Sequence, residues 1–246
     1  MAIVTGGGQG IGRGIAVTLA RRGAHVVVNG RTETKLLALC DEISAFGGRA
    51  IAVVADVSRR EDVDRTVGAA VSRFGRIDIL VNNAQATTIG VGVADLSEDD
   101  VEIAFRSGAM GTLYAMQACY PHLRAAGGGC IINFGSSTAV AGDTGFGAYA
   151  MAKEAIRGLS RVAAKEWGAD NIRVNVVCPV ATSPASEAFA SSDPVRFGRV
   201  VRSIPLGRFG RPSEDIGALV AAVVSDDMSY LTGATLMADG GRTFIT

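Results

Sequence analysis

The chain alternates short β-branched runs with longer amphipathic stretches, and this rhythm leaves few architectures open. Strand candidates fall at residues 2–6 (AIVTG), 25–30 (HVVVNG), 49–57 (RAIAVVADV), 77–84 (IDILVNNA), 130–136 (CIINFGS), 172–179 (IRVNVVCP) and 234–240 (ATLMADG). Most are apolar nearly throughout, the pattern of strands covered on both faces. Helical patterns lie near 10–22, 33–46, 60–74, 98–125, 148–168 and 213–225. Strand followed by helix, repeated, implies a parallel sheet with right-handed crossovers. We therefore expect an α/β fold: a doubly wound parallel sheet of about seven strands with helices on both faces.

A chain of 246 residues fits one large domain, and no linker or repeat divides it, so residues 1–246 read as a single unit. The exception to the rhythm is 182–211, where Pro184, Pro194 and Pro205 stand with Phe189 and Phe197 among small polar residues. That segment reads as a substrate lid with short helices.

Charge narrows the partners. Lys and Arg number 24 and so do Asp and Glu, interspersed, which leaves no footprint for nucleic acid or an anionic membrane. A small, mildly polar ligand is expected. Cys40, Cys119, Cys130 and Cys178 lack metal or disulfide spacing and read as free thiols, with no metal site. No run approaches the ~20 apolar residues of a membrane span, so the expectation is a soluble cytoplasmic protein.

The first strand runs into TGGGQGIGRGIA. Gly6 permits a tight turn, Gly10 lets the backbone approach a pyrophosphate, and Gly12 allows a helix to pack closely on the strand, while the helix N-terminus faces the anion. This is the phosphate-binding turn of a Rossmann-type sheet. At the end of the second strand an NAD site usually has an acid for the ribose 2′-hydroxyl, but here Gly30 is followed by Arg31. A guanidinium suits a 2′-phosphate, so NADP(H) is the preferred cofactor and NAD(H) the alternative. Gln9 speaks the other way, being neutral where a second cation would help.

Ser136, Tyr149 and Lys153 follow in order, the last two four apart on one helix face. A free phenol, pKa ~10, is a poor base at neutral pH. An ammonium at ~4 Å with effective permittivity ~20 supplies roughly 4 kcal/mol, enough to lower the phenol by about three units. The phenol then exchanges a proton with an alcohol or carbonyl as hydride moves. Ser136, at the carboxyl end of the fifth strand, would hold the substrate oxygen.

With these residues in view, the chain resembles the short-chain dehydrogenase/reductase family, its 3-oxoacyl-carrier-protein-reductase-like members in particular, over nearly its whole length. TGGGQGIG, Asp56–Val57, NNA at 82–84, YAMAK, PLGRFGRP and YLTGATLMADGG carry the likeness. The resemblance implies that Ser136 orients substrate, Tyr149 is the acid/base, and Lys153 lowers the tyrosine pKa and holds the nicotinamide ribose. It implies cofactor contacts at Gly6, Gln9, Gly10, Ile11 and Gly12 in the turn and at Arg31 and Thr32 after the second strand. Asp56 and Val57 would meet the adenine, Asn83 and Ala84 would line the cofactor, and Pro179, Val180 and Thr182 would approach the carboxamide. It also implies a homotetramer or dimer acting on a ketone or secondary alcohol.

Some positions depart from the family pattern. Gly108 stands where the family has a long-helix asparagine tied to a helix irregularity and a proton relay, and Gln85 replaces a glycine and is expected to project into the site. Val180 and Pro184 replace a glycine and a threonine. Gly108 and Gln85 keep open the reading of a binding-only sensor or scaffold; a third reading keeps the site but uses the same groups for dehydration or epimerisation.

Overall fold

The structure, a computed structural model, describes residues 1–245. Seven parallel strands form one sheet among the described residues: β1 (Ala2–Val4), β2 (Val26–Gly30), β3 (Ala50–Val54), β4 (Ile79–Asn82), β5 (Gly129–Phe134), β6 (Ile172–Pro179) and β7 (Thr235–Ala238), in the order β3-β2-β1-β4-β5-β6-β7. Among the described residues ten α-helices connect and cover them: α1 (Gly10–Arg21), α2 (Glu33–Ala45), α3 (Arg60–Phe74), α4 (Glu98–Phe105), α5 (Gly111–Ala125), α6 (Ser137–Ala141), α7 (Gly147–Glu166), α8 (Pro184–Ser192), α9 (Pro194–Arg202) and α10 (Ala218–Val223). The expected Rossmann-type sheet is present.

Apolar strands without alternation are explained by two cores. Ala2 and Val4 pack with Ile15 and Leu19 of α1 and Leu36 and Leu39 of α2. Ile3, between them in sequence, points the other way, to Val63 of α3 and Met116 and Leu123 of α5. Successive strand residues face opposite sides, so a strand buried on both must be apolar at every position.

The sheet reverses its winding between β1 and β4, where Ile3 lies opposite Val27 on one side and Leu80 on the other. The loops after β1 and β4 splay there, which opens a crevice at the carboxyl edge.

Element ends differ from the expected ones for local reasons. Strand pairing stops at Val4 and Asn82 because Gly6 turns left-handed and Asn83 turns to bond Thr5. The expected helix 98–125 is one rod with a wider π turn, Arg106–Met110, between α4 and α5, and α10 is likewise preceded by a π turn at Pro212–Gly217. Residues 182–211 carry α8 and α9, neither of which buries a residue. Their base is closed by a bridge between Ala181 and Gly210.

Candidate active site

Thr5, at the end of β1, organises the crevice. Its Oγ1 accepts from the backbone N–H groups of Asn83 and Ala84, each at 3.0 Å, and the Asn83 amide donates to the Thr5 carbonyl at 2.9 Å. The glycine turn is thereby fastened to the β4 loop. Gly6 and Gly10 hold φ of 65° and 54°, the left-handed region that side chains disfavour. A Cβ on Gly12 would lie 2.4 Å from the Gly6 carbonyl oxygen and 2.5 Å from the Asn83 amide nitrogen. Gly12 is thus needed for packing of α1 on the turn and the β4 loop, a correction to the expected contact with the strand.

These features frame a cleft of about 590 Å³. Of the residues expected to hold a dinucleotide, Gly6, Gln9, Gly10, Ile11, Arg31, Thr32, Asp56, Val57, Asn83 and Ala84 line it. Gly12 stands behind the turn. Pro179, Val180 and Thr182 do not line this cleft; Val180 and Thr182 instead bond Gly210 and form the stem of the segment carrying α8 and α9. A diphosphate fits this chemistry: the α1 N-terminus has no side-chain cap, Gly6, Gly7, Gly8 and Gly10 bring backbone to the turn without side chains, and Ser183 and Pro184 lie 3.4 Å from where a Cβ on Gly10 would stand.

Sequence reasoning missed Lys35. It lines the same cleft as Arg31 and Thr32, and its ammonium donates to Gln9 Oε1. The neutral glutamine therefore holds a cation beside itself. The signal was available, since position 35 falls in the first turn of the helix that follows Arg31 and Thr32.

The second cluster lies along α7. Tyr149 and Lys153 share one face, with Lys153 Nζ 5.5 Å from the phenol ring centroid. Lys153 is 4 % exposed and its ammonium donates to the Phe134 carbonyl at 2.8 Å, beside Ser136 at the end of β5. Ser136 caps α6, accepting from Ala139 N–H at 3.4 Å. Phe146 meets the Tyr149 ring edge-on at 6.1 Å and walls the site.

The electrostatics correct one expectation. Burial pushes the Lys153 ammonium down to about 8. Burial also pushes the Tyr149 phenol up, and only the Ser136 hydroxyl beside it pulls it back. In the protein alone desolvation outweighs the Ser136 hydroxyl, so the phenol is held protonated.

The two unusual positions meet. Gln85 borders the cleft, but its amide does not project into open space as expected. Nε2 donates to the Ala104 carbonyl at 3.1 Å and lies over Gly108 in the π turn. Ser107 Oγ accepts from the Ala86 N–H and donates to the Ala86 carbonyl, both at 2.9 Å. Pro184 begins α8, whose capping box pairs Ser183 with Ser186. Among the described residues there is no acidic, histidine and cysteine cluster fit for a metal, all four cysteines are free thiols, and no helix is long and apolar enough to cross a membrane.

Comparison with known proteins agrees with this arrangement. A family model described as enoyl-(acyl carrier protein) reductase matches residues 6–243. The chain is 43 % identical to a 12alpha-hydroxysteroid dehydrogenase of Clostridium sp. (strain ATCC 29733 / VPI C48-50), over 98 % of this chain and 95 % of that one. It is 35 % identical to 4-formylbenzenesulfonate dehydrogenase TsaC1/TsaC2 of Comamonas testosteroni, over 98 % of this chain and 97 % of the relative. Among solved structures, that of a candidate short-chain alcohol dehydrogenase from Sinorhizobium meliloti 1021 superposes with a TM-score of 0.92 at 36 % identity, covering 98 % of this chain and 95 % of that one.

Proposed function

Because the chain belongs to the short-chain dehydrogenase/reductase family of oxidoreductases, we propose that it moves hydride between NADP(H) and an apolar secondary alcohol or ketone, with Tyr149 as the acid/base. The observation that carries this reading is the cluster of Ser136, Tyr149 and Lys153 at the carboxyl edge of the sheet on which the nucleotide-sized cleft also opens. When bound, the dinucleotide supplies or accepts the hydride. The chain's part is to handle the proton. In reduction the Tyr149 hydroxyl gives its proton to the nascent alkoxide and is left as phenolate, and in oxidation the phenolate takes the alcohol proton and returns to the phenol. Ser136 Oγ holds the same substrate oxygen, and Lys153 stabilises the phenolate form while it exists.

NADP(H) over NAD(H) is supported by Arg31 and Lys35 standing together at the rim where a 2′-phosphate would lie, with no acid in place of Gly30. The apolar substrate is supported by the rings of Phe189, Phe197 and Phe209, at 5.7 and 5.1 Å, which make the segment 182–211 an aromatic lid. Hydroxysteroids are the first class to test, given the 43 % identical relative. Exposed Met151, Val162, Tyr230 and Phe244 support a homotetramer. Light scattering would then give four times 25.3 kDa.

The deciding assay follows absorbance at 340 nm with NADPH and a panel of ketones. Tyr149→Phe should lose about 10²–10⁴-fold in rate. A variant as fast as the parent, or cofactor binding with no turnover of any substrate, overturns the reading.

A further inference from the structure

Two positions compete for one space at the heart of the long helix. A Cβ built on Gly108 would lie 2.5 Å from Gln85 Oε1, 2.7 Å from Nε2 and 2.9 Å from Cδ. The Gln85 amide therefore occupies the volume that a side chain at 108 would need. It is also held there: Nε2 donates to the Ala104 carbonyl at 3.1 Å and more weakly to the Ala86 carbonyl at 3.3 Å. Its Oε1 is buried and has no hydrogen-bond partner. An unpaired buried carbonyl oxygen costs on the order of a hydrogen bond, so this orientation is retained for what Nε2 does.

What Nε2 holds leads to the reacting groups. Ala104 is fully buried and packs against Ala148 and Ala152, the residues that immediately precede Tyr149 and Lys153 on α7. The π turn itself packs on α7. A π turn breaks the regular backbone pairing of a helix, so its register needs support from outside. Gln85 comes from the β4 loop, which also lines the nucleotide cleft.

We propose that Gln85 is a positioning residue: its amide takes the place of a side chain at Gly108, and by gripping the Ala104 carbonyl it sets the α4–α5 rod against the face of α7 that carries Tyr149 and Lys153. The proposal rests on the oxidoreductase reading above. It makes positions 85 and 108 interdependent, with room for one amide between them. Gly108→Asn alone overfills the space, Gln85→Gly alone empties it, and the double variant returns an amide from the other side.

The test is a double-mutant cycle on the full-length enzyme with NADPH and its best ketone, reading kcat, KM and the pH profile of kcat. Each single substitution should lower kcat by about tenfold or more and the double variant should recover to within about threefold of the parent, because contacting residues are strongly non-additive. Gln85→Met keeps the bulk without the donor and guards against a variant that fails to fold. It should keep the parent's KM for NADPH, lower kcat, and move the pH profile, since the surroundings of Tyr149 and Lys153 shift. Additive losses in the cycle, or a Gln85→Met enzyme with the parent's kcat and profile, overturn the proposal. Failure of the oxidoreductase reading would be seen separately, as full activity in Tyr149→Phe.

Discussion

Lys35, in the first turn of α2, reaches across the mouth of the nucleotide cleft and donates its ammonium to the side chain of Gln9 in the glycine turn. With Arg31 it gives the rim two cations, although the turn itself supplies none. A phosphate there would take the ammonium as a point charge and the guanidinium as a fork. We expect Lys35→Ala and Arg31→Ala each to lower kcat/KM for NADPH by about tenfold, a loss of ~1.4 kcal/mol typical of one charge-assisted hydrogen bond, while NADH is little changed. Steady-state kinetics with both cofactors checks this. Equal losses for the two would mean the cations act on the fold and not on the phosphate.

Gly12 tests the cradle itself. A methyl group there meets the Gly6 carbonyl at 2.4 Å, backbone against which no side chain can yield. Gly12→Ala should weaken NADPH binding by at least about tenfold through displacement of the turn, with secondary structure kept, because Ile15 and Leu19 further along α1 still hold the helix to the core. Titration of NADPH fluorescence together with circular dichroism would read both quantities.

Lys153 makes a prediction about pH. Its native value of about 8 lies below the ordinary lysine value of 10.5, so between those values the unfolded chain binds more protons than the folded one. The burden on stability is full below about pH 8 and is relieved as pH rises toward 10.5. Lys153→Met should therefore raise stability near pH 7 by roughly 1–3 kcal/mol, the protonation cost less one lost hydrogen bond to Phe134, and the gain should shrink toward pH 10. Denaturant unfolding at the two pH values measures it, and turnover should fall sharply in the same variant.

The aromatic cluster predicts the behaviour of the segment above the site. Phe197 contacts both Phe189 and Phe209, and little else secures α8 and α9 because neither buries a residue. Phe197→Ala should loosen the segment, speed its cleavage in limited proteolysis, and raise KM for apolar ketones by about three- to tenfold with KM for NADPH nearly unchanged.

Much of this was legible in the amino-acid order because it depends on local spacing. Unbroken apolar runs indicate strands covered twice, residues four apart share a helix face, and a glycine turn after the first strand leads straight into the first helix. The seven strands and the pairing of Tyr149 with Lys153 follow from such rules. Tertiary structure decided what depends on approach between distant segments. Lys35 meets Gln9 only once α2 is docked beside the turn, and Gln85 meets Gly108 only once the β4 loop folds over the long helix. The phenol is a third case, since a spacing of four residues gives the attraction of an ammonium but not the depth at which both groups are buried. Removal from water, which no short stretch of sequence encodes, leaves Tyr149 protonated and draws Lys153 down.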